Sequence, residues 1–365
     1  MIDRRLFTHF EWRILGVVLL LSSIGLLNLY SFTSNGEGAL SSLFLKQILW
    51  LGIGLVVMWA VAFIEYRYYA DFAYPIFFIL LLLLILVFGV GVITSGARRW
   101  IRMGSFSLQP SELMKIALII ALAKFYQKPP DRKGYSLKEL SLPFLFLLIP
   151  VILILKQPDL GTAIILILIF FSILLFVKIR FSSLLLLMGI GAALIPLGWS
   201  LLKEYQKRRI LTFLNPELDP LGAGYHLLQS KVAIGSGGVL GKGFMKGTQC
   251  KLGFLPEPHT DFIFSALAEE WGLVGCFVVM GLYLILILWG LRVVVQSKDR
   301  FSAILSFGAV SMLFWHTFIN MGMAMGMMPV VGIPLPLLSY GGSFLLSTMM
   351  GIGLLFNVSM RRFLF

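Results

Sequence analysis

Charge is what this chain has least of. Only 13% of its 365 residues are Asp, Glu, Lys or Arg, against 59% hydrophobic. Soluble domains carry about 25% charged and about 45–50% apolar residues, so a soluble globular fold is excluded. Acid is scarcer than base, with 17 Asp and Glu against 30 Lys and Arg, a formal charge of +13. The two cysteines, Cys250 in a loop and Cys276 in an apolar run, exclude a disulfide framework. His259 has no second histidine at ligand spacing, which argues against zinc. The opening Met1-Ile-Asp-Arg-Arg leads into an apolar segment without a small-residue cleavage site. It reads as a retained first helix rather than a removed signal.

Long hydrophobic runs are what the chain has instead, and its mean hydropathy is +0.93. A membrane-crossing helix needs about 20 apolar residues. Ten segments are candidates: 13–32, 43–63, 72–93, 109–126, 142–156, 159–178, 181–202, 261–291, 301–325 and 335–359. By length alone the fourth and fifth are the weakest. The expected fold is therefore one all-α polytopic membrane domain over 1–365, with a long extracytoplasmic loop, 203–260, between the seventh and eighth helices. Arg4, Arg5, Arg361 and Arg362 place both termini in the cytoplasm. The loop 128–138 and the turns near Lys178, Arg180, Arg292, Lys298 and Arg300 fall on that side too.

Two segments on the opposite face break the charge rule. One is Gly96-Ala-Arg-Arg-Trp-Ile-Arg-Met-Gly104; the other is the long loop with Lys203, Lys207, Arg208, Arg209, Lys231, Lys242, Lys246 and Lys251. Long loops cross a membrane regardless of charge, but the first segment is short. Its arginines suit phosphate, which the guanidinium fork matches. The partners of this positive charge are membrane lipids and a lipid-linked substrate, not nucleic acid. Ile234-Gly-Ser-Gly-Gly-Val-Leu-Gly-Lys-Gly243 is not a phosphate loop of the nucleotide-binding kind. Ser236 and Leu240 stand where the two known patterns need glycine, and no strand precedes it. Its glycines are expected to make turns along the membrane surface.

Asp261 opens the eighth apolar run, and a carboxylate at such a boundary is costly enough to suggest function. It suits a general base or the anchor of a divalent cation, magnesium or manganese, although no cofactor is firmly implied. The alternative is a simple N-cap. Glu269 and Glu270 lie two turns deeper, and at least one suits a structural buried role. Glu112 and Lys115, three apart, share a helix face and are placed to pair, either to fix packing or to line a polar cavity. Asp159 is placed to cap the sixth span. Met321 to Met328 holds five methionines and reads as adaptable packing.

Across essentially its whole length the chain resembles the SEDS family of bacterial shape, elongation, division and sporulation proteins. The resemblance is carried by Gly96-Ala-Arg-Arg-Trp100, Gln109-Pro-Ser-Glu-Leu-Met-Lys115, Lys156-Gln-Pro-Asp-Leu-Gly-Thr162 and Asp219-Pro-Leu-Gly-Ala-Gly-Tyr-His-Leu-Leu-Gln-Ser230. Gly235-Ser-Gly-Gly, Pro258-His-Thr-Asp-Phe-Ile-Phe264 and Leu338-Ser-Tyr-Gly-Gly-Ser343 continue it in order. The stretch from Asn215 is closer to the elongation branch than to the division branch. The resemblance implies a ten-helix fold and a peptidoglycan glycosyltransferase that polymerises lipid II. It also implies a class B penicillin-binding protein, a transpeptidase, as partner. The family's essential aspartate falls on Asp261, its intramembrane pair on Glu112 and Lys115, and its outer arginine on Arg99, with Arg98 beside it. Arg98, Arg99, Trp100, Glu112, Lys115, Lys231 and His259 form the expected substrate-binding set around Asp261. Two rival readings stay open, a transporter flipping lipid II and a non-catalytic scaffold. Against the transporter, the chain shows no obvious internal repeat, and its polar residues gather at the outer face.

Overall fold

The computed structural model describes residues 10–33, 41–94, 97–104, 106–130, 134–201, 204–219 and 222–362. Arg4, Arg5, Gly96, Lys203 and the stretch 131–133, used in the sequence reading, lie outside the described residues. Each of the ten expected spans is helical: α1 (Trp12–Thr33), α2 (Ser42–Phe63), α4 (Ala73–Val90), α5 (Pro110–Phe125), α6 (Leu137–Lys156), α7 (Leu160–Phe176), α8 (Phe181–Leu201), α12 (Ile263–Val295), α13 (Arg300–Ala324) and α14 (Gly342–Arg361). Among the described residues seven of these, all but α5, α7 and α8, are long and apolar enough to cross a bilayer. A short helix, α3 (Tyr66–Asp71), precedes α4.

The expected weakness of the fourth and fifth spans has a structural resolution. Helix α5 is buried nearly all round, packed by α4, α6, α7, α13 and α14. Its charged pair is thus enclosed by protein rather than by lipid. Helix α6 begins at Leu137, earlier than its apolar run, because Ser136 and Glu139 form a capping box that stabilises a polar first turn.

The all-α expectation needs one correction. Between α4 and α5 the chain makes a three-stranded antiparallel sheet, β1 (Val92–Thr94), β2 (Ala97–Met103) and β3 (Phe106–Leu108), with β2 in the middle. Val92 pairs with Trp100 but Ile93 with Arg98, so Arg99 is an extra residue on β2. Such a bulge re-aims side chains near functional sites, and it turns Arg99 and its neighbour Trp100 into the same cavity.

The segment 203–260 also departs from expectation. Its described part holds α9 (Glu204–Leu214), a 3-10 turn (Pro216–Leu218), α10 (Ala223–Gly237) and α11 (Thr248–Lys251). Helix α10 packs against α12 and α13, and Ser230 Oγ bonds to the Ala324 carbonyl (2.5 Å) and contacts Ser265 Oγ (2.7 Å). Helix α12 is one run in sequence but breaks at Gly272 (φ 64°, ψ −163°), a conformation that only glycine adopts without strain. A break frees backbone groups that apolar surroundings cannot satisfy. The glycine-rich segment supplies the partners: Leu273 and Val274 donate to Gly238 and Val239 carbonyls, and Lys242 and Gly243 donate to Glu269 and Glu270 carbonyls, at 3.0–3.2 Å.

Glu269 and Glu270 hold the same segment with their side chains. Fully buried Glu269 accepts from Lys242 Nζ (2.6 Å), Thr248 N (2.8 Å), Thr248 Oγ1 (2.9 Å) and Gln249 N (3.1 Å). Glu270 accepts from the Ser31 hydroxyl at the end of α1. Both carboxylates are therefore structural. At the far end of the bundle the start of the first helix and the end of the last meet, where Arg362 pairs with Glu11 at 2.9 Å. This end also carries Lys178, Arg180, Lys298 and Arg300.

Candidate active site

At the other end, a cavity of about 710 Å³ opens among the starts of α5, α7 and α14 and the turn before α12. Two smaller cavities, of about 440 and 570 Å³, adjoin it: Asp261, Arg209 and Gly332 line the first as well, and Arg99, Trp100, Arg209 and Tyr340 the second.

Asp261 stands in the turn before α12 and does not cap it, so the N-cap alternative fails; Phe262 occupies that position. Three consecutive carbonyls hold the turn. His259 O accepts from Tyr340 N (2.8 Å), Thr260 O from Ser339 Oγ (2.6 Å) and Asp261 O from Asn320 Nδ2 (2.9 Å). Every anchor reaches the main chain, which leaves the Asp261 carboxylate facing the cavity. That carboxylate lies over Gly332 (φ 73°), where a Cβ would come within 3.3 Å of Oδ2. Burial, aided by the nearby charge of Glu257, pushes the Asp261 carboxyl up to about 6; Arg209 and a hydrogen bond from Thr260 pull the other way.

Glu112 lines the cavity on another side, and Lys115 sits beneath it with no exposed surface. Lys115 Nζ donates to Glu112 Oε2 (2.7 Å) and to His316 Nε2 (2.9 Å), and Ser347 Oγ also donates to Glu112 (3.0 Å). Gln109 ties the helix starts together: its Nε2 donates to Asp159 Oδ2 (2.9 Å) and its backbone N to Ser343 Oγ (3.0 Å). Asp159 does cap α7, accepting from Thr162 N (3.2 Å) and Thr162 Oγ1 (2.9 Å).

Of the expected set, the cavity brings together Asp261, Arg99, Trp100 and Glu112, with Lys115 directly behind. It does not bring Arg98, Lys231 or His259. Arg98 turns outward, donating to the Phe88 carbonyl (3.2 Å), on the other side of β2 from the bulged Arg99. Lys231 lies against Gly326. The His259 ring stacks edge-on behind Tyr340 (5.9 Å between centroids) and sits 3.4 Å from Glu257. Sequence reasoning missed Arg209, His316 and Asn320. A histidine and an asparagine inside the apolar α13 were readable signals, whereas Arg209 is one of many basic residues in its segment. Among the described residues no group of three or more His, Cys, Asp or Glu converges as a metal site. A divalent cation held by Asp261 would therefore draw its further ligands from substrate phosphate and water.

An apolar helical bundle whose helices are long enough to cross a bilayer, with carboxylates gathered around a chamber at one end, defines an integral membrane protein. The sequence pattern of the cell cycle protein family of FtsW, RodA and SpoVE matches residues 6–363, and the chain belongs to that family. It is 41% identical over 321 residues to the peptidoglycan glycosyltransferase MrdB of Escherichia coli K12, covering 87% of this chain and 85% of that one. It is 36% identical over 430 residues to the peptidoglycan glycosyltransferase RodA of Treponema pallidum, covering 97% and 98%. Among solved structures it is similar to a chain from a study of structural coordination of polymerization and crosslinking by a peptidoglycan synthase complex. That match has a TM-score of 0.85 and 33% identity, covering 98% of this chain and 99% of the other. The crystal structure of Thermus thermophilus RodA matches with a TM-score of 0.72 and 30% identity, covering 97% and 98%.

Proposed function

We propose that this chain is a peptidoglycan glycosyltransferase that polymerises lipid II into β-1,4 glycan strands, with Asp261 as the base. The observation that carries the reading is the placement of Asp261: a carboxylate held by three main-chain anchors, with its proton affinity raised, in a chamber large enough for sugars. The acceptor's 4-hydroxyl oxygen attacks the anomeric carbon of the donor while Asp261 takes its proton. The bond to undecaprenyl pyrophosphate breaks from the opposite face, which inverts the α-linked donor to a β product. One carboxylate suffices because pyrophosphate leaves without a proton. The rigid turn supplies orientation, and such positioning lowers a barrier by prepaid entropy.

In this reading all ten helical segments cross the membrane, both termini lie in the cytoplasm, and the chamber opens on the extracytoplasmic face. The likeness to a chain of a peptidoglycan synthase complex supports a class B penicillin-binding protein as partner. The test is conversion of purified lipid II to glycan strands by the protein in detergent, alone and with that partner. Polymer formation is the expected result. Movement of lipid II across vesicles with no polymer would replace the reading by a lipid flippase.

A pH profile examines the base. Activity should rise with pH through a midpoint near 6, because only the deprotonated carboxylate accepts a proton. Glu257→Gln removes a charge that raises this midpoint, so the profile should move to lower pH. For stability the sign is opposite. The native carboxyl binds its proton more tightly than an unfolded one (about 6 against 3.8), so this group removes stability as pH rises across that window. A profile unmoved by Glu257→Gln would separate Asp261 from the observed titration.

A further inference from the structure

The leaving pyrophosphate needs a cation, and position in the chamber decides which basic residue meets it. Arg99 Nε donates to the Gln157 carbonyl (3.0 Å) and its Nη2 to the Pro158 carbonyl, which makes it a brace between β2 and the turn before α7. Arg98 turns out to Phe88, and Lys231 lies outside the chamber. Lys115 is enclosed between Glu112 and His316. One other cation is placed differently. Arg209 of α9 lines the 710, 440 and 570 Å³ cavities alike, so it stands where the three meet. It shares two of them with Asp261 and two with Trp100, and its charge acts on the Asp261 carboxyl. Arg208, next to it, lines the 440 Å³ cavity.

We propose that Arg209 is the side chain that binds the pyrophosphate of the lipid-linked donor and stabilises it as it leaves, an assignment that rests on the glycosyltransferase reading above. The chemistry is balanced. As the acceptor oxygen bonds to the anomeric carbon and its proton passes to Asp261, the electron pair of the breaking C–O bond moves onto the phosphate oxygen, where the guanidinium meets it. A planar guanidinium matches two phosphate oxygens at once, which an ammonium does not. A preorganised donor aimed at developing negative charge typically contributes about 10²–10³ in kcat.

The experiment uses the full-length protein with its partner, lipid II as substrate and inorganic pyrophosphate as competitor. Arg209→Gln should lower kcat about a hundredfold and abolish inhibition by pyrophosphate, while Lys207→Gln on the same helix changes neither. Arg209→Lys, which keeps the charge and loses the fork, should retain weakened inhibition and lose about tenfold in kcat. A structural role would not move pyrophosphate inhibition in a protein of unchanged melting temperature. Wild-type turnover and inhibition in Arg209→Gln would overturn the assignment while leaving the enzyme reading intact. If Arg209→Gln does not fold, Arg209→Lys decides the matter, and its full activity with full inhibition counts against the proposal. Absence of polymer from the wild type would overturn the enzyme reading, and direct pyrophosphate binding to wild type and Arg209→Lys would then judge Arg209 by itself.

Discussion

Asp261→Asn is expected to lower glycan polymerisation about a thousandfold, within the range of about 10²–10⁴ supplied by a positioned general base. The same variant should fold as well as the wild type. Asn320, Ser339 and Tyr340 hold main-chain oxygens of residues 261, 260 and 259, which asparagine leaves in place. Asparagine also matches aspartate in shape, so the close approach to Gly332 is kept. At neutral pH it removes a charge whose burial is unfavourable, so the melting temperature should be equal or higher. The assay is strand formation from lipid II by the purified variant with its partner, alongside a melting curve. Wild-type polymer yield from Asp261→Asn would take the carboxylate out of the chemistry.

Glu112→Leu should have the largest effect on stability, about 3–5 kcal/mol, because it leaves a buried ammonium with no counter-charge. Lys115 has no exposed surface, and its remaining partner would be His316, a ring nitrogen that carries no negative charge. The double variant Glu112→Leu/Lys115→Met should recover most of the loss, since apolar residues of similar volume commonly replace a buried pair at little cost. Thermal unfolding of the purified variants measures this. A single variant within about 1 kcal/mol of wild type would mean that Lys115 is neutralised or hydrated there. The double variant also separates two roles that sequence left open. If it is folded but inactive, the pair serves the chamber that Glu112 lines as well as the packing of α5.

Much of this architecture is legible in the chain because it depends on local quantities. Run length marks ten helical segments, and the spacing of Glu112 and Lys115 marks their pairing, found at 2.7 Å. Capping chemistry marks Asp159 at the start of α7. The same local reasoning misplaces β2. Gly96-Ala-Arg-Arg-Trp100 sits between two long helices, and a three-stranded sheet forms only once β1 and β3 are in register with it. It also misses the break in α12, since a single glycine in an apolar run is compatible with a continuous helix. Only the arrival of residues 238–243 satisfies the groups that Gly272 sets free.

By itself, then, the sequence determined the apolar helical bundle, the carboxylate before the eighth run and the buried ion pair. These follow from hydropathy over about 20 residues and from helix periodicity, which neighbouring residues settle among themselves. The tertiary structure alone decided which cations surround Asp261. Arg99 faces the chamber because of a bulge, Arg98 faces away, Lys231 rests on Gly326, and Arg209 is brought to the junction of three cavities by the placement of α9. Outside regular periodicity, the direction of a side chain is set by partners distant in sequence. A basic loop therefore announces an anionic ligand without saying which of its residues will meet it.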